Sequence, residues 1–451
     1  MSGPVVAPAP KPTAEPTRAV SWQVGVAARD ITPAAGSPMS GFAIREAPAE
    51  GVHDPLFVRA LALDDGSTRF CLLVLDLIGV DEALTASIRT AASELASIAA
   101  AHVAVTATHT HGGPAVLEHA YLGRPDAAYR HRIVQASAAA VAAAVADLAP
   151  ANVRHAIGVQ ATIARNRRVP GGPIDPDVPI VRFDRGGTPV ALLVSYACHP
   201  VTLGPDNLAI TRDYPGVVVD ELERRYPGSL VVFATGCCGQ VNTGHLASDS
   251  LRPGQAPQRT FARAREIGLS LADAAANATD AAAGRPPLRG PLRIASARVA
   301  LEYAPSSRNP QLELAEWRRE LAELAAGDAA REATLRVLIQ WAEARANQPP
   351  RFCEVEATCI GLGDACIALY PGEVFVEFGL SAKDAIVDRS VMTIAYSGSA
   401  PGYLPHRSAY DQGGYEVEEA YRFYGQPGPF PAEAGERLQE VVVGLARQVV
   451  S

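Results

Sequence analysis

The chain of 451 residues carries 48 acidic against 40 basic side chains, a formal net charge of −8. With no long basic run, that balance leaves no footprint for nucleic acid or for an anionic lipid surface. No run of about 20 apolar residues is present to span a bilayer, so no stable membrane insertion is expected, and the length suits one large domain with insertions or two ordinary ones.

Met1 to Val20 is rich in Pro and Ala and lacks the apolar core of a secretory signal, so residues 1–21 read as a disordered arm before a folded domain over 22–451. Order begins at Trp22, where Val24-Gly25-Val26-Ala27 runs into Asp30-Ile31-Thr32-Pro33, a strand and a turn. Val58 to Leu63 is a strand that reverses at Asp64-Asp65-Gly66 into a buried strand from Phe70 to Leu77. An Ala-rich helix from Glu82 to Ala100 follows. A strand from His102 to Thr110, with Val103, Val105 and Ala107 alternating, then leads to a second Ala-rich helix from Ala127 to Leu148. Strands at Val178–Asp184 and Val190–Ala197 flank the Gly186-Gly187 turn, and a helix covers Tyr214–Tyr226. An apolar strand, Leu230–Ala234, and a helix over Arg259–Ala276 come next. Gln311 to Asn347 reads as two charged amphipathic helices broken near Gly327-Asp328, either an insertion over a site or a solvated appendage. A helix near Ala432–Val449 is last. The alternation of strand and helix makes the class α/β, and no internal repeat of 20–50 residues is visible. The seven cysteines are odd in number and sit mostly in apolar contexts, the pattern of a reduced, cytoplasmic protein.

Chemistry concentrates where strands end. The run Ala107-Thr108-His109-Thr110-His111-Gly112-Gly113-Pro114 sets two imidazoles two residues apart before a glycine turn. If the strand reaches His111, both rings point to one face. Two donors are not a site, because an open zinc centre takes about three protein ligands. His199 ends an apolar strand in Ser195-Tyr196-Ala197-Cys198-His199-Pro200, where the proline stops the pairing and where α/β sheets place their sites. Glu373 follows a strand and the Pro371-Gly372 turn in an otherwise apolar run, and a carboxylate there needs a cation or a partner. Two histidines and a glutamate make a known catalytic zinc set. The plain alternative for each histidine is a packed or turn-capping ring.

Gly25-Val26-Ala27, Asp30-Ile31-Thr32-Pro33, Gly41-Phe42-Ala43, Gly51-Val52-His53-Asp54 and Thr108 to Pro114 are followed by Asn166-Arg167, His199-Pro200-Val201-Thr202 and Pro371-Gly372-Glu373. Tyr403, Tyr410 and Tyr415 lie near the end. In this order the chain, from about Gly25 to Gly425, resembles the catalytic N-terminal domain of the neutral/alkaline, non-lysosomal ceramidase family. The resemblance implies a mixed-sheet α/β catalytic domain, here without a C-terminal immunoglobulin-like domain, and a Zn2+ ion held by His109, His199, Glu373 and Tyr403. His111, Arg167 and Tyr415 would then either support the ligands from behind or face the substrate. Arg167 would polarise a carbonyl or bind an anion, while His111 and Tyr415 would donate to the oxyanion of an attacked amide. A structural ion pair is the alternative for Arg167, and Arg165 and Arg168 are expected to face solvent.

One departure stands out. Where the family has a serine, proposed as nucleophile or as partner of the attacking water, the segment Thr235 to Gly244 places Asn242, with Thr243 beside it. An amide forms hydrogen bonds but no acyl-enzyme, which leaves attack by metal-activated water. His111 and Asp213 are candidate general bases, and Asp213 is also a candidate cap for the helix from Tyr214. The expectation is a cytoplasmic, zinc-dependent amidohydrolase acting on a linear N-acyl bond of a small-molecule substrate other than ceramide. The alternatives are an esterase, lactonase or lyase on a small polar metabolite, and a non-catalytic binding protein that keeps the metal. Homo-oligomerisation is left open.

Overall fold

A computed structural model of the protein describes residues 22–450 apart from 119–120, 252–257, 307, 325–326, 346–351 and 387–388. The arm expected over residues 1–21 lies outside the described residues. Three sheets carry the fold, the first of five strands, counting the two-residue Ala149–Pro150 at its edge, and the others of four. The first contains β1 (Gln23–Asp30), β2 (Phe57–Asp64), β3 (Arg69–Leu75) and β4 (Val103–Ala107), with α1 (Glu82–Ala96) crossing between the last two and α2 (Ala127–Ala146) packed behind. The second contains β5 (Asn152–Val159), β6 (Asp177–Arg185), β7 (Thr188–Tyr196) and β8 (Leu230–Thr235), with α3 (Asp213–Arg225) as crossover and α4 (Phe261–Ala283) beside it. The third contains β9 (Leu292–Glu302), a helical hairpin α5 (Pro310–Glu323) and α6 (Ala329–Arg345), then β10 (Phe352–Leu362), β11 (Ala365–Leu369), the crossover α7 (Val376–Ala385), β12 (Ser390–Ile394) and α8 (Ala432–Val450).

In each sheet antiparallel neighbours end in one parallel pair, β3 with β4, β7 with β8, and β11 with β12. The mixed-sheet α/β class is therefore realised three times as strand, strand, helix, strand, a recurrence that the residues themselves do not repeat. Tight turns set the antiparallel registers. Gly186 and Gly187 have φ of 59° and 88°, as a two-residue hairpin requires. Apolar faces of the three sheets meet in one cluster, with Leu61 and Phe70 from the first, Phe183 and Val232 from the second, and Ile367 and Met392 from the third. Helices cover the outer faces, the Ala-rich α2 lying close against β1 because small side chains permit it.

The parallel pairs are stapled end to end by polar side chains. Thr106 Oγ1 donates to Ala395 O at 2.8 Å, Ser195 Oγ to Thr393 O at 2.9 Å, and Thr235 Oγ1 to Thr108 O at 2.6 Å. Each threonine or serine thus ties one sheet's carboxyl end to another's, which holds three separate sets of loops in register.

The hairpin α5–α6 is docked rather than free. Trp341 is fully buried, its indole donating to Gln426 O at 2.6 Å, and Glu313 pairs with Arg422 at 2.9 Å. Between α6 and the segments around Met39 and Gly123 lies a cavity of about 770 Å³. The charged faces legible in the helices are its outer surface, while the apolar stripe is spent on the chain around Tyr421.

Candidate metal centre

Loops leaving the carboxyl ends of the three parallel pairs converge on His109, His199 and Glu373, the placement expected for α/β sheets. Their donor atoms lie within 4.8 Å of one another and all three residues are buried. The strand expected to run through Thr110 stops at Ala107, and His109 takes a left-handed φ of 65°. His109 and His111 therefore meet through a turn, not through the two-residue period of a strand, and their rings stand edge to face at 4.9 Å. Tyr396, just past β12 and also left-handed at φ 59°, stacks on His109 at 3.9 Å.

Backbone carbonyls orient both imidazoles. His109 Nδ1 donates to Ile78 O at 2.5 Å, and His199 Nδ1 to Cys238 O at 2.8 Å. A carbonyl only accepts, so each Nδ1 carries the proton and each Nε2 offers a lone pair. These lone pairs face Glu373 Oε2, at 2.7 Å from His199 and 3.4 Å from His109. Tyr424 donates its hydroxyl to Glu373 Oε1, fixing the carboxylate from the other side. Burial pushes His199 and His111 below the ordinary imidazole range, which keeps both neutral at pH 7. Three acceptors that converge out of water repel one another unless a cation joins them, so the set fits a metal ion. Gly239 makes room for this arrangement, because a Cβ there would lie 2.6 Å from Glu373 O.

Tyr403 pairs residue for residue with Glu373 in a short parallel ladder. Its ring lies parallel to that of His199 at 6.5 Å, and its hydroxyl accepts from Arg167 at 3.0 Å. Arg167 also donates to Glu416 Oε1 at 2.7 Å and to Gly239 O at 3.0 Å. Burial alone would lower its pKa, but Tyr403 and Glu416 hold it well above the usual value, so the guanidinium stays charged. Arg168 contradicts its expected exposure. Its side chain is 10% exposed and pairs with the other oxygen of Glu416, because a buried carboxylate has room for two guanidinium groups. Arg165 is exposed as expected.

Tyr415 sits 5.9 Å from the Tyr403 ring, its phenol pushed up by burial and by Glu373. Asn242 is buried, but its amide is used locally, donating to His245 O at 2.9 Å and accepting from Gly244 N at 2.8 Å. Asp213 does not cap α3 in the ordinary way. It has φ 56° and accepts from Tyr214 N at 2.6 Å and Leu203 N at 3.2 Å, so it braces the loop after His199. Tyr396, Tyr424 and Glu416 were not singled out in the sequence. Tyr396 had a usable signal, since it follows a strand end as His109 and His199 do; Tyr424 and Glu416 arrive from a segment of turns with no periodicity.

The sequence profile described as neutral/alkaline non-lysosomal ceramidase, N-terminal, matches residues 22–249. The chain belongs to the neutral/alkaline non-lysosomal ceramidase family. Curated relatives in the family include the neutral ceramidases of Mycobacterium tuberculosis, 28% identical over 289 residues, and Pseudomonas aeruginosa, 26% identical over 284 residues. Those matches cover 54% and 56% of this chain but 44% and 42% of the relatives, so the matched part is less than half of either. The crystal structure of the P. aeruginosa neutral ceramidase superposes with a TM-score of 0.74 at 19% identity, covering 95% of this chain and 74% of that one. A ceramidase solved in complex with C2 gives 0.73 at 18%, covering 95% and 75%. The ceramidase-family fold thus extends over nearly the whole chain.

Proposed function

We propose that this protein is a zinc-dependent hydrolase that cleaves a linear amide (N-acyl) bond of a small molecule. The observation that carries this reading is the buried convergence of His109, His199 and Glu373 with both imidazoles anchored through Nδ1, a donor set suited to zinc. Tyr403, across the ladder from Glu373, is proposed as a fourth ligand. Zinc there would supply Lewis acidity, polarising the scissile carbonyl and acidifying the attacking water. His111, kept neutral by burial and beside His109 with their Nε2 atoms 3.2 Å apart, is the general base of this reading, taking the proton of that water. Tyr415 keeps its proton and donates to the developing oxyanion. Arg167 is a positioning residue that holds the Tyr403 hydroxyl from an anchor on Glu416. Asn242 shapes the turn to His245 and does not act as a nucleophile. Family membership supports amide chemistry, because its relatives are named ceramidases, and the lost serine makes ceramide a poor substrate. The seven free cysteines support a cytoplasmic location, and no helix among the described residues is long and apolar enough to cross a membrane.

The test is metal analysis of protein purified without chelator, followed by matched N-acyl and ester substrates, with ceramide in detergent included. Near-stoichiometric zinc and amide turnover lost in His109→Ala and Glu373→Ala are expected. Zinc-dependent cleavage of esters alone would move the assignment to an esterase, and the absence of metal-dependent turnover on any substrate would leave a binding protein.

A further inference from the structure

A second group of side chains gathers around the ring of Phe42, and the amide chemistry does not use it. The guanidinium carbons of Arg45 and Arg259 lie 5.0 Å and 5.4 Å from the ring centroid, and the His111 ring lies 5.0 Å away. Gly41 is required here, since at φ 108° it lets the chain pass where a Cβ would come 2.7 Å from the His111 ring. Both arginines are tied only to backbone carbonyls. Arg45 donates to Asn207 O at 3.2 Å, His111 O at 2.7 Å and Ser40 O. Arg259 donates to Leu203 O at 2.7 Å, Val201 O at 3.1 Å and Asp249 O at 3.5 Å. Among the described residues neither forms an ion pair, although Arg259 feels Asp213, Asp206 and Asp249 at longer range.

The rest of the molecule treats buried arginine differently. Arg130, Arg167, Arg168 and Arg182 each reach a carboxylate. A buried guanidinium with no carboxylate in direct contact is destabilising, and an unmet buried donor adds to that cost. Yet Arg45 is only 7% exposed, and Arg45 Nε, Arg259 Nε, His111 Nδ1 and His245 Nε2 are all buried without a partner. His245, 8% exposed, carries one of these unmet nitrogens, and the charges of Arg259 and Arg167 lower its pKa further below that set by burial. Unmet nitrogens on two arginines and a histidine around one ring, with no carboxylate among the described residues in direct contact with either guanidinium, are the features of a site completed by an anion.

We propose that Arg45 and Arg259, both against the ring of Phe42, form an anion subsite that binds a carboxylate or phosphate of the substrate. The proposal rests on the amide-hydrolase reading and narrows its substrate to an acidic N-acyl compound. A neutral lipid amide offers no charge to this subsite.

The zinc-loaded enzyme is tested on amides sharing one acyl chain: an N-acyl amino acid, its neutral carboxamide and an N-acyl phosphoethanolamine. An acidic amide should exceed the carboxamide in kcat/KM by about tenfold or more, as one charge-assisted contact allows, and the better of the two acids identifies carboxylate or phosphate. Arg259→Gln should shrink that ratio about tenfold, mainly through KM. Arg45→Gln should do the same and Arg45→Lys should restore it, separating charge from the support that Arg45 gives to Ser40 and His111. Equal kcat/KM for charged and neutral amides overturns the proposal. If no amide is cleaved, the amide reading fails and calorimetry on metal-free protein with acetate and inorganic phosphate decides the subsite alone. Saturable binding weakened by Arg259→Gln supports it, and no binding to either anion overturns it.

Discussion

The Glu373 wall and the Phe42 wall lie on either side of His111 and meet their polar atoms in opposite ways. Around Glu373 every ligand candidate is held by a second group: His109 by Ile78 O, His199 by Cys238 O, Glu373 by Tyr424 and Tyr403 by Arg167. Around Phe42 the guanidinium and imidazole groups are buried with nitrogens left over. Groups that must grip one small ion are oriented in advance, because metal affinity depends on the partners behind the ligands. Groups that read a larger, removable anion are kept unmet until it arrives.

The comparison breaks first at Glu373. Glu373→Ala should abolish stoichiometric metal, a loss of more than about a hundredfold in affinity, read by elemental analysis after gel filtration; full retention of metal would show that the wall does not hold a cation. Glu416→Gln, which removes the charge shared by Arg167 and Arg168, should destabilise the protein by about 3–5 kcal/mol, the cost of stranding a buried charge, measured by urea unfolding. Tyr424→Phe keeps the ring and loses the donor to Glu373, so metal affinity should fall by about 10–100-fold in a competition titration with a chelating dye. The last effect is a slope of stability with pH and belongs to His245. Burial, with Arg259 and Arg167, pushes the folded-state pKa of His245 down to about 2, against about 6.5 in the unfolded chain. Below pH 6.5 the unfolded chain takes up a proton that the folded one refuses, so stability falls as pH drops from about 6.5 toward 2, at up to about 1.4 kcal/mol per pH unit. In chelator-treated protein, His245→Asn should flatten that slope, and an unchanged slope would remove His245 from the titrating set.

Much of the metal wall was legible because its ligands sit at strand ends flagged by Gly and Pro, in a chain with only ten histidines. The Phe42 wall was not, although Gly41-Phe42 was part of the family pattern. Arg45 and Arg259 are separated by more than two hundred residues, and nothing local distinguishes an arginine that lacks a carboxylate from one that has found it. Arg168 makes the same point in reverse: in sequence it looks like a solvent-facing neighbour of Arg167, and in space it shares Glu416.

The sequence by itself determined the α/β class, most of the strands and helices as far as α4, the three candidate metal donors and the family, because short-range periodicity and turn chemistry are written in consecutive residues. Only the tertiary structure decided that three unrepeated units each end in a parallel pair, that His109 reaches its place through a left-handed turn, and that Asn242 spends its amide on its own loop. Each of these depends on which distant carbonyl, carboxylate or ring fills the remaining hydrogen-bonding capacity of a side chain, and that is settled only when the sheets are stapled together.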